Sequence, residues 1–187
     1  MKIGVLALQG AFIEHIKILE KLGVKSVEIR QRKDFAYNLD GLILPGGEST
    51  AIGKLLNDLD LLNPIQSQIV GGLPVFGTCA GMILLAKEID NQSKTYIATM
   101  DATVVRNAYG RQYDSFNVMA YFNNELIEMP FIRAPYIKTV NDNVQVLATV
   151  QDRIVAIRQD KQLATSFHPE LTNNTYVHEY FLSMLKL

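Results

Sequence analysis

Short apolar segments alternate with helical segments through the first half of the chain. An apolar run at residues 3–8 ends near Gly10, and apolar residues then recur at helical spacing over residues 12–22. The same pattern predicts further strands at residues 27–30, 41–44 and 74–76, with helices that begin at Thr50 and Ala80. Strand-helix units with short connections predict a mainly parallel sheet flanked by helices.

The second half of the chain is richer in strand-like segments. Strands are predicted at residues 103–106, 115–122, 137–140, 144–150, 154–158 and 163–167, and a final helix at 175–185. Some of these strands should pair as antiparallel hairpins or lie at a sheet edge. No repeat, low-complexity tract or linker divides the sequence. We therefore expect a single α/β domain over residues 1–187, with a mainly parallel central sheet and additional antiparallel strands in the second half.

Composition and charge narrow the classes of partner. The 187 residues carry a formal net charge of -1 and no Lys/Arg cluster, which argues against nucleic acid and anionic membrane as partners. The charged fraction of 20% is below the usual ~25%, which suggests that a protein partner covers some of the surface. The single cysteine excludes an internal disulfide, and no apolar run reaches the ~20 residues of a membrane span. We expect a cytoplasmic protein.

Residues 77–81, Gly-Thr-Cys-Ala-Gly, place the cysteine between a predicted buried strand and a predicted helix. The spacing is that of a nucleophile elbow, in which small flanking residues permit a tight strand-to-helix turn. A thiol in the first turn of a helix also meets the positive end of the helix dipole, which favours the thiolate. A buried structural cysteine is the alternative, and the flanking glycines favour a nucleophile at Cys79.

A histidine and a carboxylate follow the last predicted strand, within residues 166–170, Ser-Phe-His-Pro-Glu. His168 is the candidate general base toward Cys79, and Glu170 would orient its imidazole. Pro169 stiffens the link and favours extended backbone at His168, so that the side chains at 168 and 170 would point the same way. A surface ion pair is the alternative interpretation.

Two glycines follow the strand that ends at Leu44, in the segment Leu-Pro-Gly-Gly-Glu-Ser-Thr at residues 44–50. The N–H groups of Gly47 and Ala80 are candidate donors to the oxyanion that forms when a thiolate attacks a carbonyl. A phosphate cradle is a competing interpretation, but the lysine of a P-loop is missing. A simple turn is the structural alternative.

Together these motifs resemble those of the class I, or triad, glutamine amidotransferases, which have a flavodoxin-like three-layer fold. Further stretches narrow the resemblance to the glutaminase subunits of the two-component pyridoxal 5'-phosphate synthases. These stretches are residues 6–11 (LALQGA) with Glu14 and His15, 46–50 (GGEST), 76–81 (FGTCAG), 106–107 (RN), 110–112 (GRQ), 114–116 (DSF), 131–135 (FIRAP) and 166–171 (SFHPEL). The resemblance covers residues 3–171. It departs from the family at Ala108-Tyr109, where Ser-Phe is usual, and at residues 123–130, a shortened segment that we expect to be a surface loop.

The resemblance implies which residues hold the substrate, L-glutamine. The matching positions are Gly46, Gly47, Glu48, Ser49, Arg106, Ile132 and Arg133. An arginine suits the α-carboxylate of glutamine, since a guanidinium can bind it through paired hydrogen bonds. Which of the two arginines does so stays open.

The resemblance also implies a partner, a synthase subunit that is a (β/α)8 barrel and forms a large hetero-oligomer with this chain. The glutaminase would be nearly idle until docking arranges the oxyanion donors. Gln9 and Gly10, in the first strand-to-helix turn, are expected near the docking face.

The implied reaction is hydrolysis of L-glutamine to L-glutamate and ammonia through a thioester on Cys79, with the ammonia used for pyridoxal 5'-phosphate (vitamin B6) biosynthesis. No cofactor is expected and no metal, because a thiolate is already a strong nucleophile and the sequence has no grouped Cys/His ligands. His15 and His178 lie on predicted helices, where we expect surface or interface residues rather than catalytic ones.

The sequence leaves three other interpretations. One is the glutaminase subunit of imidazole glycerol phosphate synthase, against which the stretches GGEST, GRQYDSF and FIRAP argue. The second is a non-catalytic regulator that keeps the fold, which the intact Cys79, His168 and Glu170 disfavour. The third is a cysteine hydrolase or peptidase that needs no partner. A glutaminase assay with and without the synthase separates these possibilities.

Overall fold

Four strands from the first half of the chain form a parallel unit in a computed structural model that describes residues 1–35, 38–106 and 115–186. They are β1 (Lys2–Leu6), β2 (Lys25–Ile29), β3 (Gly41–Leu44) and β4 (Val75–Thr78), in the spatial order β2-β1-β3-β4. Every residue of β3 and β4 is buried. A parallel strand covered on both faces by helices requires such a continuous apolar run.

Helices cover both faces of this sheet. They are α1 (Phe12–Lys21), α2 (Ser49–Asp58), α3 (Leu62–Val70), α4 (Ala80–Leu85) and α5 (Tyr176–Met184). Leu42 and Leu44 of β3 belong to the core beneath α2, α3 and α4, whereas Ile43 between them belongs to the core beneath α1 and α5. Successive strand residues point to opposite faces, so one strand serves both cores.

Helix α3 was not predicted as a separate element, because the sequence indicated one helical stretch from Thr50. Asp60 separates the two helices, because its φ of 53° lies in the left-handed region and ends the regular helix. Ile65 and Ile69 then bury the face of α3, one helical turn apart.

The residues after α4 extend the sheet beyond β4, first by a parallel strand, then by antiparallel strands, and at the far edge by a parallel pair. The added strands are β5 (Ala86–Ile89), β6 (Met100–Val105), β9 (Tyr136–Val140), β10 (Gln145–Val150), β11 (Arg153–Gln159) and β12 (Gln162–Thr165). β12 is parallel to β4, and β11 is antiparallel to β12. Among the described residues the full order is β2-β1-β3-β4-β12-β11-β9-β6-β5, with β10 paired to β11. The predicted α/β class, with antiparallel strands in the second half, is confirmed.

A separate hairpin of β7 (Ser115–Phe122) and β8 (Glu125–Ile132) lies outside this sheet. The expectation of a surface loop at residues 123–130 is wrong, since most of that segment is β8. Its alternate residues Ile127 and Met129 are buried, and Asn123-Asn124 forms the turn with φ of 44° and 71°. A two-residue hairpin turn of type I′ requires positive φ at both central residues, and this turn type matches the twist of the paired strands.

Part of one family motif cannot be placed. Residues 107–114, which hold Ala108, Tyr109 and most of the GRQYDSF stretch, lie outside the described residues. Within the described ranges, no helix combines the length and the apolar character needed to cross a membrane.

Candidate active site

Cys79 stands at a strained turn between the end of β4 and the start of α4. Its φ is 49° and its ψ is -100°, a conformation that costs a residue with a side chain about 1–3 kcal/mol. The neighbouring strand helps to hold the turn, because the N–H of Cys79 donates to the carbonyl of Thr165 at 2.7 Å. The side chain is 7% exposed. The turn therefore holds the sulfur at the carboxyl end of the parallel strands.

The glycines on either side of Cys79 are required by close packing. A methyl group on Gly81 would lie 2.0 Å from the carbonyl oxygen of Leu44, so only glycine lets α4 sit this close to β3. A methyl group on Gly77 would lie 2.6 Å from the carbonyl carbon of Gly81. The G-x-C-x-G spacing thus corresponds to a turn in which the backbone of α4 touches two strands.

His168 and Glu170 follow β12 and form a buried pair. Nδ1 of His168 is 2.7 Å from Oε1 of Glu170, and the two side chains are 8% and 0% exposed. The interpretation as a surface ion pair is therefore wrong. With Nδ1–H donating to the carboxylate, Nε2 is the ring nitrogen left for Cys79. The N–H of His168 donates to the carbonyl of Pro130 at 2.8 Å, which ties the segment to β8.

The route by which these two side chains meet differs from the expected one. Residues Pro169–Leu171 form a short 3-10 helix rather than extended backbone. Proline is well suited to the first helical position, because its fixed φ matches the helix and its missing N–H has no partner to lose there. The turn returns the carboxylate of Glu170 to the ring of His168.

His168 and Cys79 face one small space beside Gly46. A methyl group on Gly46 would lie 2.3 Å from Cε1 of His168 and 3.4 Å from Cβ of Cys79. Burial by itself lowers the pKa of His168, but the Cys79 sulfur and the Glu170 carboxylate outweigh it and raise this pKa to about 10. At neutral pH the ring is an imidazolium, which stabilises negative charge on the neighbouring sulfur.

The first strand-to-helix turn contacts the glycine loop that carries Gly47, one of the two candidate oxyanion donors. The N–H of Glu48 donates to Oε1 of Gln9 at 2.7 Å, and the N–H of Ala11 donates to the carbonyl of Gly46 at 3.0 Å. Gly10 packs against Gly47, with 3.2 Å between its Cα and the position of a methyl group on Gly47. Any movement of the Gln9 side chain would therefore alter the loop.

Several predicted glutamine contacts surround this space. The carbonyl oxygen of Ile132 is 4.0 Å from Sγ of Cys79, and Arg133 follows it in an exposed turn with φ of 41°. Ser49 is 3% exposed, and its Oγ has no hydrogen-bond partner among the residues that the structure describes. A buried hydroxyl without a partner is costly, so a polar ligand group would stabilise it.

Arg106 approaches the same loop from the end of β6. Its Nη2 lies 3.3 Å from Oγ1 of Thr50, the residue after Ser49, and its Nη1 lies 3.4 Å from Oε1 of Gln92. The guanidinium is therefore held at the first turn of α2, beside the loop of residues 46–49.

Two histidines that were expected at the surface or at an interface lie in the core. His15 and His178 are both 0% exposed, not surface residues. Nδ1 of His15 is 2.9 Å from Nε2 of His178, while Nε2 of His15 is 3.2 Å from Oγ1 of Thr78 and 3.6 Å from Oε2 of Glu170. A signal was present, because His15 precedes Ile18 and Leu19 by three and four residues and so shares their buried face of α1.

The chain is similar to known proteins over its whole length. The sequence model of the SNO glutamine amidotransferase family matches residues 5–187. Proteins named "Pyridoxal 5'-phosphate synthase subunit PdxT" from Streptococcus pneumoniae (strain CGSP14) and Haemophilus influenzae (strain PittEE) are each 56% identical to this chain. The alignments cover all of this chain and 98% and 100% of those proteins. A solved structure described as a crystal structure of glutamine amidotransferase is 42% identical, with a TM-score of 0.94 over 99% of both chains.

Proposed function

Since the chain belongs to the SNO glutamine amidotransferase family, we propose that it hydrolyses L-glutamine at Cys79 and supplies the ammonia for pyridoxal 5'-phosphate synthesis. The observation that carries the proposal is the buried pair of His168 and Glu170, which faces a cysteine on a strained elbow. Relatives that are 56% identical over the whole chain are named subunits of pyridoxal 5'-phosphate synthase, and this supports the pathway.

The first chemical step is acylation of Cys79. The sulfur attacks the side-chain carboxamide carbon of glutamine, and the carbonyl oxygen becomes an oxyanion that the N–H groups of Ala80 and Gly47 receive. The N–H of Ala80 suits this role, because a residue in the first turn of a helix has no carbonyl four residues earlier in that helix to bond. His168 then gives its proton to the departing nitrogen, and ammonia leaves a thioester behind.

The second step is hydrolysis of the thioester, for which His168 must accept a proton from water. A thioester sulfur carries no charge, so acylation removes one of the two groups that raise the pKa of His168. The pKa of the ring therefore falls when the base is needed, and it rises again when the free thiolate is restored. Glu170 orients the imidazole during both steps.

The glycine loop and the two arginines are proposed to hold the substrate. The hydroxyl of Ser49, which has no partner within the described ranges, offers a hydrogen bond to a polar group of glutamine. Arg106 contacts Thr50, the next residue along the chain. Arg133 follows Ile132, whose carbonyl oxygen is 4.0 Å from the sulfur. A guanidinium at either position would bind the α-carboxylate, with the backbone of Ile132 along the substrate.

Ammonia released into water at neutral pH is mostly protonated and no longer nucleophilic, so it needs a protected route to its acceptor. We propose that a (β/α)8-barrel synthase subunit docks over the site within a large hetero-oligomer. Gln9 and Gly10 would lie near the docking face, where the hydrogen bond from Glu48 to Gln9 couples docking to the oxyanion loop.

Two further features follow from the proposed chemistry. The site draws residues from the loop after β3, from the elbow after β4 and from the short 3-10 helix after β12, so we propose that residues 1–187 act as one domain. The nucleophile is the chain's one cysteine and must stay reduced, which fits the cytoplasm.

A glutaminase assay tests the proposal. The chain with its synthase subunit should release glutamate from L-glutamine, and Cys79→Ser should abolish the release while leaving the complex intact. A peptidase or esterase would act on its substrates without the synthase. A chain that binds the synthase yet releases no glutamate, or a Cys79→Ser variant of normal activity, would overturn the proposal.

A further inference from the structure

A buried carboxylate oxygen lies behind the proposed catalytic pair. Oε1 of Glu170 accepts from His168, but the second oxygen, Oε2, is buried and accepts no hydrogen bond from the described residues. The side chain of Glu170 is 0% exposed, so solvent does not reach this oxygen. An uncompensated buried carboxylate oxygen is costly, and it gives the carboxylate freedom to turn away from His168.

The nitrogen Nε2 of His15 lies 3.6 Å from this oxygen. That distance exceeds the usual span of about 2.7–3.2 Å for an N–H···O hydrogen bond, so the contact is electrostatic in the resting structure. Catalytic hydrogen bonds are often long without substrate and shorten in the reacting complex. The same nitrogen is 3.2 Å from Oγ1 of Thr78, the residue before the nucleophile. Nε2 of His15 therefore faces both the elbow and the carboxylate.

Both buried histidines are neutral, so each carries one N–H. Burial, then the nearby rings of His178 and His168, hold the pKa of His15 well below its usual value. Burial lowers the pKa of His178 to about 3. Because Nδ1 of His15 and Nε2 of His178 are 2.9 Å apart, one of the two must donate and the other accept.

The surroundings select the direction of this hydrogen bond. If His15 donated from Nδ1, its bare Nε2 would face the carboxylate of Glu170, and His178 would carry its proton on Nδ1. That nitrogen is buried without a partner in the described part of the chain. Orphaned buried N–H groups are rare, whereas a bare acceptor is tolerated better. The favoured arrangement is donation from His178 Nε2 to His15 Nδ1, which leaves the proton of His15 on Nε2.

We propose that His15 is a positioning residue for the glutaminase reaction, and that His178 fixes the tautomer in which it acts. The Nε2–H of His15 points between Oγ1 of Thr78, at 3.2 Å, and Oε2 of Glu170, at 3.6 Å. Its attraction for Oε2 keeps Oε1 of that carboxylate on the ring of His168. The ring of Phe76 packs edge-on against both histidines, with ring centroids 6.0 Å and 5.6 Å away, and so limits their rotation. The inference rests on the proposed function, because it assigns His15 to the same reaction.

The tautomer is measured in the wild-type chain by ¹H–¹⁵N correlation NMR of its three histidines, which separates protonated from bare ring nitrogens. The expected result is Nε2–H for His15 and Nε2–H for His178. Nδ1–H on His15 would overturn the inference. This measurement needs neither a variant nor an active enzyme. Its result can therefore contradict the inference while the proposed function stands.

Two matched variants test the role in catalysis, with glutamine hydrolysis measured in the presence of the synthase subunit. His15→Gln keeps an N–H donor near the position of Nε2, whereas His15→Met has a similar length and no donor. We expect His15→Met to lower kcat at least about tenfold with KM little changed, and His15→Gln to restore most of the loss. Equal kcat values for the two variants, or a change confined to KM, would overturn the inference. A wild-type chain without glutaminase activity would instead count against the proposed function.

Discussion

Gly46 lies so close to His168 that a methyl group on Gly46 would stand 2.3 Å from Cε1 of the imidazole. The glycine loop and the histidine segment come from distant parts of the chain, and they meet at the carboxyl ends of β3 and β12. The ring therefore keeps its place only while residue 46 has no side chain. This contact ties the position of the base to the loop that carries Gly47, one of the two proposed oxyanion donors.

The first prediction concerns Gly46→Ala. The added methyl group must push the ring of His168 away from Cys79, and a displacement of about 1 Å at a reacting group costs about 100-fold in rate. We expect kcat for glutamine to fall by about that factor. Gly71→Ala is the matched control, since it adds a methyl group at the exposed end of α3. Equal kcat values for the Gly46→Ala variant and the wild type would show that the ring is not held as described.

The second prediction concerns the proton on His168. Because its pKa is raised to about 10, the ring stays protonated as the pH rises past 6.5 and loses its proton only near pH 10. We expect kcat/KM to persist to that pH, since acylation needs the imidazolium to protonate the leaving nitrogen. NMR titration of the ring should show the same midpoint.

Two variants test the cause of this high pKa. Cys79→Ala removes the sulfur, one of the two groups that raise the pKa of His168, so the NMR midpoint should move down. Glu170→Gln should also move it down, because it removes the carboxylate charge. An unchanged midpoint in both variants would contradict the proposed pairing of the three side chains.

The third prediction concerns the two candidate carboxylate ligands. Arg106→Ala and Arg133→Ala should each be assayed for KM with glutamine, and the residue that binds the α-carboxylate should show a rise of about tenfold or more. Arg32→Ala is the control, because that guanidinium donates to the carbonyl of Asp60. A variant whose KM stays at the wild-type value removes that arginine from the substrate site.

The fourth prediction concerns the coupling between Gln9 and the oxyanion loop. Gln9→Ala removes the acceptor of the Glu48 N–H, so the loop would no longer be held in its resting arrangement. We expect the stimulation of glutaminase activity by the synthase subunit to change by about fivefold, which corresponds to a net hydrogen-bond energy of ~1 kcal/mol. Lys17→Ala, on the exposed face of α1, should leave the stimulation unchanged. If the synthase subunit stimulates Gln9→Ala as much as the wild type, Gln9 takes no part in activation.

Much of the sheet could be predicted from local sequence. β3 and β7 have the predicted bounds, because a continuous apolar run and an isolated alternating run give strong signals. β5 was not predicted. Two of its four residues, Lys87 and Glu88, are charged and exposed, and the strand follows α4 without a break. Its place is set by pairing with β6, which is a tertiary effect that a short segment does not encode.

Those site residues that belong to short sequence motifs could be predicted. The spacing around Cys79 and the nearness of His168 to Glu170 are local properties, so both could be read from the chain. The burial of His15 and His178 depends instead on how α1 and α5 pack against Phe76. A polar residue on an apolar helical face is a weak signal until its partners are known.

Covalent trapping of the nucleophile tests the central claim most directly. The chain is incubated, with the synthase subunit present, with a glutamine analogue that carries a diazo ketone in place of the carboxamide, and the peptides are analysed by mass spectrometry. We predict one adduct, on the peptide that contains Cys79, whose formation L-glutamine slows in proportion to its occupancy of the site. An analogue that labels another residue, or that leaves Cys79 unmodified while glutamine is being hydrolysed, would contradict the account.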